Sequence, residues 1–101
     1  MTDITNNTIL KLNSNVVKRF EYNLKDGTMI LCNMKNFDFW FGNYASKELI
    51  SLINGENTIN DIYSELLSNY KQEDYETVME ALNNIIEDLY EKHFIEVVNN
   101  D

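Results

Sequence analysis

The sequence predicts an α+β domain in which a three-stranded antiparallel sheet is followed by three helices. Three observations predict it. Segments rich in β-branched and aromatic residues, joined by short turns, occupy the chain up to Phe41. Apolar residues then recur at helical spacing from Ala45 onward. Turn and cap residues divide the second part, with Gly55 where one helix should end and Thr58 where the next should begin.

The strand candidates share short length and β-forming residues, and they are Val16–Tyr22, Thr28–Cys32 and Phe37–Phe41. Asp26-Gly27, between the first two, is the strongest hairpin signal in the chain. Three strands joined by short turns form an antiparallel meander. Shorter extended segments are expected before and after this core, at Ile9–Leu12 and Phe94–Val97.

The first two helix candidates begin with a capping residue. Asn43 is placed to cap the first helix, and Thr58 caps the second with Asp61 three residues on. The third helix is expected from about Asp74 to Lys92. At 100° per residue its apolar arc covers about 140°, from Ile85 round to Tyr90, which is wider than the roughly 100° that packing on a core requires.

This order of elements is the plan of a winged-helix-like α+β domain. A chain of 101 residues, 44% of them apolar, fits one domain with one core, so we expect a single domain over residues 1–101. Its core should span about residues 9–97. We expect the first seven residues and the last three, residues 99–101, to be frayed.

Charge is distributed unevenly along the chain. Residues 1–54 carry six Lys/Arg and five Asp/Glu, a net charge of +1, whereas residues 55–101 carry two Lys and twelve Asp/Glu, a net charge of −10. Nucleic-acid binding depends on neutralising phosphates with cationic residues, so no nucleic-acid partner is expected. No apolar run is long enough to span a membrane, and the N-terminus lacks the regions of a signal peptide, so we expect no membrane partner and a cytoplasmic location.

The sequence offers little for catalysis or metal binding. His93 is the only histidine and Cys32 the only cysteine, which excludes multi-histidine and multi-cysteine metal sites. The three glycines are scattered at turns and caps, so no phosphate-binding loop is present. We therefore expect no catalytic residue, no metal and no cofactor, and we do not expect an enzyme.

The aromatic segment Phe37–Phe41 allows two interpretations. By strand alternation Phe37, Phe39 and Phe41 point to one face and Asp38 and Trp40 to the other. In the first interpretation the phenylalanines pack under the helices and Trp40 lies partly exposed on the outer face. In the second, the strand lies at a sheet edge, where an extended peptide can add as a further strand and place alternate side chains in pockets.

Two stretches resemble the PqqD-like family, the RiPP recognition elements that bind precursor peptides of ribosomally made natural products. The first runs from Asn43 to Ile62: an apolar pair, then Asn54-Gly55-Glu56-Asn57-Thr58, then Ile59 and Ile62. The second comprises Leu82, Ile85, Ile86 and Leu89 followed by Phe94-Ile95. The resemblance covers about Val16 to Val97. Departures from the family pattern are Gly42 before Asn43, Ala81 in place of an acidic residue, and His93 in place of a glycine.

The resemblance implies a non-catalytic peptide chaperone of the stand-alone form. Such domains bind the leader region of a precursor peptide as a strand added to the third strand, beside the third helix, and present it to a separate modifying enzyme, often a radical SAM protein. Carried over by position, the peptide-binding residues are Phe37, Asp38, Phe39, Trp40, Phe41, Val78, Ala81, Leu82 and Ile85. The alternative edge of the third helix consists of Met79, Asn83 and Ile86.

Two other functions compete with peptide binding. A winged-helix DNA-binding regulator would need a basic recognition helix, whereas the third helix presents Glu76, Glu80 and Glu87. A structural or adaptor subunit would bury the same apolar surface against one folded protein. A bare sheet edge also permits a homodimer.

Overall fold

The computed structural model describes residues 4–23 and 27–99, and it has the α+β fold class that the sequence predicts. Six strands form two antiparallel sheets of three, accompanied by three helices. The strands are β1 (Ile9–Leu12), β2 (Val16–Glu21), β3 (Thr28–Asn33), β4 (Asp38–Gly42), β5 (Asn54–Thr58) and β6 (Ile95–Val97). The helices are α1 (Tyr44–Leu52), α2 (Ile59–Leu67) and α3 (Tyr75–Glu91), with a short 3-10 turn at Gln72–Asp74 before α3.

The predicted meander is confirmed as the sheet β2-β3-β4. In its register Val17 lies opposite Cys32 and Arg19 opposite Ile30 on one side of β3, while Cys32 and Ile30 face Phe39 and Phe41 on the other. The predicted hairpin at Asp26-Gly27 falls partly outside the described residues. Gly27 itself has φ of +100°, a conformation that suits a turn glycine.

The second sheet has the order β5-β1-β6, and the sequence did not predict it as a sheet. The expected lead-in segment is its central strand β1, and the expected closing segment is the outer strand β6: Leu10 pairs with Val97 and Lys11 with Glu96. The strand β5 replaces the predicted helix end at Gly55, because α1 ends earlier, at a cap formed by Ile53. Gly55 instead lies within β5 at φ of +83°, and β5 pairs with β1.

The chain ends are more ordered than expected wherever the structure describes them. The backbone N–H of Asn60 donates to the carbonyl of Asn6 over 3.0 Å. The Asn99 side chain accepts from the N–H of Ile9 at 3.0 Å and donates to the carbonyl of Asn7 at 3.1 Å. Residues 6, 7 and 99 are therefore held to the fold rather than frayed. Residues 1–3, 100 and 101 lie outside the described residues.

Local caps fix where the helices start. Asn43 caps α1 by accepting from the N–H of Ser46, and Thr58 and Asp61 form a reciprocal capping box at the start of α2, as predicted. The helices cover the inner faces of the sheets, and the core lies between them. Its largest fully buried side chains are Phe94, Leu10, Leu31, Leu49, Ile50, Ile62 and Leu89. No helix among the described residues is long and apolar enough to cross a membrane.

Candidate functional site

The strand β4 lies at an edge of its sheet. In the order β2-β3-β4 it pairs with β3 along its whole length, from Asp38 opposite Asn33 to Gly42 opposite Met29. Within the described residues no other strand pairs with it. Alternate N–H and C=O groups of β4 therefore point away from the sheet, as the edge interpretation of the sequence requires.

The orientation of the aromatic residues in β4 is the reverse of the expected one. Trp40 is buried, with 9% of its surface exposed, whereas Phe39 and Phe41 are 57% and 63% exposed. The interpretation that placed the phenylalanines under the helices and Trp40 on the outer face is therefore wrong. Alternation fixes which residues share a face but not which face turns inward. In this structure the Trp40 indole faces the helices, where its N–H donates to Asp88 of α3.

Phe37 precedes β4 and does not belong to it, contrary to the predicted strand boundary. Its backbone has φ of +61°, in the left-handed region, and its N–H donates to the carbonyl of Asn33 at 2.7 Å. A bulky residue rarely adopts this conformation, because its Cβ approaches the following carbonyl. The ring is 67% exposed, so burial does not compensate for the strain.

Gly42 lets Trp40 lie against the start of α1. A Cβ at this position would lie 2.5 Å from Cζ3 of Trp40 and 2.6 Å from Oγ of Ser46, and real contacts are never that short. Ser46 is itself buried and donates its hydroxyl to the Asn43 cap at 3.2 Å. The end of β4, the indole and the first turn of α1 are thus packed as one unit that requires glycine.

A hydrogen bond joins β4 to one particular edge of α3. Nε1 of Trp40 donates to Oδ2 of Asp88 at 2.9 Å. Ala81 and Ile85 precede Asp88 by seven and three residues, so they lie on the same edge of the helix. Val78 and Ile85 are half-buried, Ala81 is exposed and Leu82 is buried in the core. Of the two edges left open by the sequence, the one with Val78, Ala81 and Ile85 is thus turned toward β4.

The other edge of α3 is occupied by α2 and the N-terminal segment. The hydroxyl of Tyr63 donates to Oδ1 of Asn83. Met79, Asn83 and Ile86 line a cavity of about 270 Å³ together with residues of α2 and residues 4–6. Burial, and secondarily the charge of Glu87, raises the pKa of Tyr63 to about 12. This alternative edge faces away from the free side of β4.

Sequence reasoning missed Asp88 as the partner of Trp40. Lys92, four residues on, approaches the Asp88 carboxylate to 3.0 Å. Partial burial raises the pKa of Asp88, but the hydrogen bond from Trp40 and the hydrogen bond and charge of Lys92 outweigh it, so this pKa lies below its ordinary value. No local signal reveals the contact, because Trp40 lies 48 residues earlier in the chain.

The outer face of the meander is apolar along β4 and in the middle of β3, whereas β2 adds the ion pair of Arg19 and Glu21 to the same face. The rings of Phe39 and Phe41 stack with centroids 6.1 Å apart and planes 14° apart. They lie beside Cys32 and Ile30, their cross-strand partners on β3. Val17, which faces Cys32 from β2, is 54% exposed. The edge strand β4 therefore offers two things to a peptide: backbone groups that can pair with it, and stacked exposed rings that can bind its apolar side chains.

The described residues include no group of three or more His, Cys, Asp or Glu side chains placed to hold a metal ion. Comparison of the chain with protein-family models, with curated proteins and with solved structures gave no match. The resemblance to the PqqD-like family therefore stays a prediction from the residues quoted above. The candidate site is defined by geometry: the free edge of β4, its exposed phenylalanines, and the α3 edge linked to Trp40.

Proposed function

We propose that this protein is a non-catalytic peptide chaperone that captures the leader region of a ribosomally made precursor peptide as a strand added to β4. One observation carries the proposal: β4 has a free backbone edge, and an edge of α3 lies beside it. The hydrogen bond from Trp40 to Asp88 fixes the distance between the strand and this helix edge. A peptide placed there extends the sheet and contacts Val78, Ala81 and Ile85 on its inner side. Leu82 supports this surface from the core.

The other sheet edges are less suited to this role. The strand β2 carries Lys18, Arg19 and Glu21, and charged side chains discourage pairing along an edge. The strand β5 is mainly polar, and β6 has only three residues. In β4 the one charged residue is Asp38, at its beginning. Among the described strands, β4 therefore offers the longest uncharged free edge.

The energetics favour a peptide of moderate affinity. Backbone hydrogen bonds contribute about 0.5–1.5 kcal/mol each, and five or six of them offset much of the cost of ordering an extended peptide. Side-chain contacts on the two faces of the added strand then supply selectivity. The peptide is presented to a separate modifying enzyme, of which a radical SAM protein is the proposed type, in the cytoplasm.

The DNA-binding alternative has little support. The exposed side of α3 presents Glu76, Glu80 and Glu87, which would repel a phosphate backbone. An adaptor subunit is favoured by one observation, the exposed outer face with Phe39 and Phe41. In that case a folded partner would bind without any peptide, and its binding would not depend on the backbone of β4.

The test uses overlapping 15-residue peptides that cover the short open reading frames next to the gene. We expect at least one to bind with micromolar or tighter affinity by fluorescence anisotropy. On binding, amide hydrogen exchange should slow at alternate residues of Asp38–Gly42, while the equally exposed edge of β2 serves as the internal control and should not change.

Methylating backbone nitrogens of the bound peptide tests strand addition separately from side-chain contacts, because it removes N–H donors and leaves the side chains unchanged. Two versions are compared, one N-methylated at odd positions and one at even positions. Because only alternate N–H groups face β4, one version should lose binding and the other should keep it. Equal affinities of the two versions, or slowed exchange at β2 instead of β4, would refute strand addition at this edge.

A further inference from the structure

A cavity lies at the end of β4, and pairing of a peptide backbone with this strand does not by itself explain it. Its volume is about 540 Å³, and its walls include Thr28, Phe41, Gly42, Asn43, Tyr44 and Ala45. Phe41 and Gly42 are the last two residues of β4, and Tyr44 and Ala45 are the first two of α1. The cavity therefore opens at the end of the sheet where β4 meets α1, with Gly27 and Thr28 at the start of β3 forming its other wall.

The cavity is uncharged and partly aromatic, with Thr28 and Asn43 as its polar lining residues. None of the described side chains that line it is charged, in a chain whose net charge is −9. Two of its walls are rings that remain largely exposed, Phe41 at 63% and Tyr44 at 50%. The Tyr44 ring is held in place, since it meets Phe20 edge to face at 5.6 Å and lies 5.7 Å from Nζ of Lys47.

Strand geometry says what would reach this cavity. A peptide paired with β4 projects every second side chain onto the face that carries Phe39 and Phe41. Neighbours on that face are two residues apart along the peptide, so one outward side chain lies beside the phenylalanine pair and the next lies at the end of the strand. The occupant that the geometry selects is thus a side chain of the same peptide.

We propose that this cavity is an anchor subsite for a large apolar side chain, aromatic or leucine-like, of the peptide that pairs with β4. The proposal rests on the proposed function and adds the substrate class: extended peptides with large apolar residues at positions i and i+2 on the outward face. The first of these packs on Phe39 and Phe41, and the second enters the cavity beside Tyr44. Selectivity then comes from the outer face of the sheet as well as from the α3 side.

The test introduces a charge into the cavity without weakening the helix. Ala45→Glu places a carboxylate in the wall at the second residue of α1, where an acidic side chain favours the helix dipole. Asn60→Glu is the matched control, because Asn60 is exposed and is the second residue of α2. The probe is the tightest-binding peptide of the overlapping 15-residue set. Ala45→Glu should weaken it about 30-fold, as expected for an anchor residue, while Asn60→Glu should leave affinity unchanged.

A double-mutant cycle identifies the side chain that enters. Each large apolar residue of the probe is replaced in turn by Ala and measured against the wild-type chain and Ala45→Glu. For the anchor position the two losses should not add, since either change alone empties the cavity. Additive losses at every position, or unchanged binding to Ala45→Glu while exchange at β4 still slows, would overturn the subsite and leave strand addition standing. Should no peptide of the set slow exchange at β4, both proposals fail together.

Discussion

The substitution Trp40→Phe tests the contact that sets the distance between β4 and α3. It removes the Nε1–H that donates to Asp88 at 2.9 Å and shortens a ring that is only 9% exposed. A hydrogen bond to a charged group contributes about 1.5–3 kcal/mol. We expect the lower part of that range, because the Asp88 side chain is 42% exposed and regains water when the donor is lost.

The lost ring atoms add to this effect. Burying one methylene-sized group contributes about 0.8 kcal/mol, and the indole exceeds the phenyl ring by more than one such group. Together the two effects predict a loss of roughly 2–4 kcal/mol in the free energy of unfolding, a large part of the 5–15 kcal/mol of a typical domain. For a domain of this size the melting temperature should fall by roughly 10–25 °C.

Urea and thermal unfolding followed by circular dichroism measure the loss. Phe41→Leu is the matched control, because it shortens an aromatic residue of the same strand on the exposed face and should change stability by less than about 0.5 kcal/mol. Trp40 is the only tryptophan, so the fluorescence of the unsubstituted protein reports on it alone. Emission at short wavelength with weak acrylamide quenching is expected. A cost no larger than that of Phe41→Leu, or emission typical of a solvated indole, would refute the inward orientation of Trp40.

Three further predictions concern titration and backbone strain. The pKa of Asp88 is lower in the folded state, so its contribution to stability is present above the unfolded pKa of about 3.9 and is lost as pH falls through the folded value. In urea titrations the Asp88→Asn variant should therefore lose less stability on acidification than the unsubstituted protein. The pKa of Tyr63 is raised to about 12, so its contribution to stability is complete below about pH 10 and is lost as pH rises toward 12. The Tyr63→Phe variant should lose less stability than the unsubstituted protein over this alkaline range. Tyrosinate absorbance should show one of the six tyrosines ionising last. His93 follows α3 at φ of +65°, where glycine is preferred, so His93→Gly should raise the free energy of unfolding by about 1 kcal/mol and His93→Ala should not.

Features with short-range signals could be predicted from the sequence. The Thr58 and Asp61 capping box and the Asn43 cap each link residues only three positions apart, and both form as expected. The left-handed residue after α3 also has a local cause. The N–H of His93 donates to the Tyr90 carbonyl and that of Phe94 to the Leu89 carbonyl, the pattern that ends many helices.

Features that depend on distant partners could not be predicted. The strand β5 has no alternating apolar pattern, and it forms because β1 offers it a backbone to pair with. The inward side chain of β4, Trp40, packs in the core and meets Asp88, which lies far along the chain. Which edge of α3 faces β4 follows from two such hydrogen bonds, one that Trp40 donates to Asp88 and one that Tyr63 donates to Asn83. Periodicity defined the apolar arc of α3 but not the direction in which it points.

The two faces of β4 differ in burial, and they therefore contribute differently to stability and to binding. Trp40 is packed in the core and donates a hydrogen bond to Asp88 of α3, so under the proposed function changes there should alter stability and peptide affinity together. Phe39 and Phe41 contribute little to the core, and stacked aromatics on a free edge raise the risk of aggregation. Phe37 adds backbone strain that folding alone does not favour. A domain this small keeps such features at a cost in stability, which is the arrangement expected when a peptide regularly covers them.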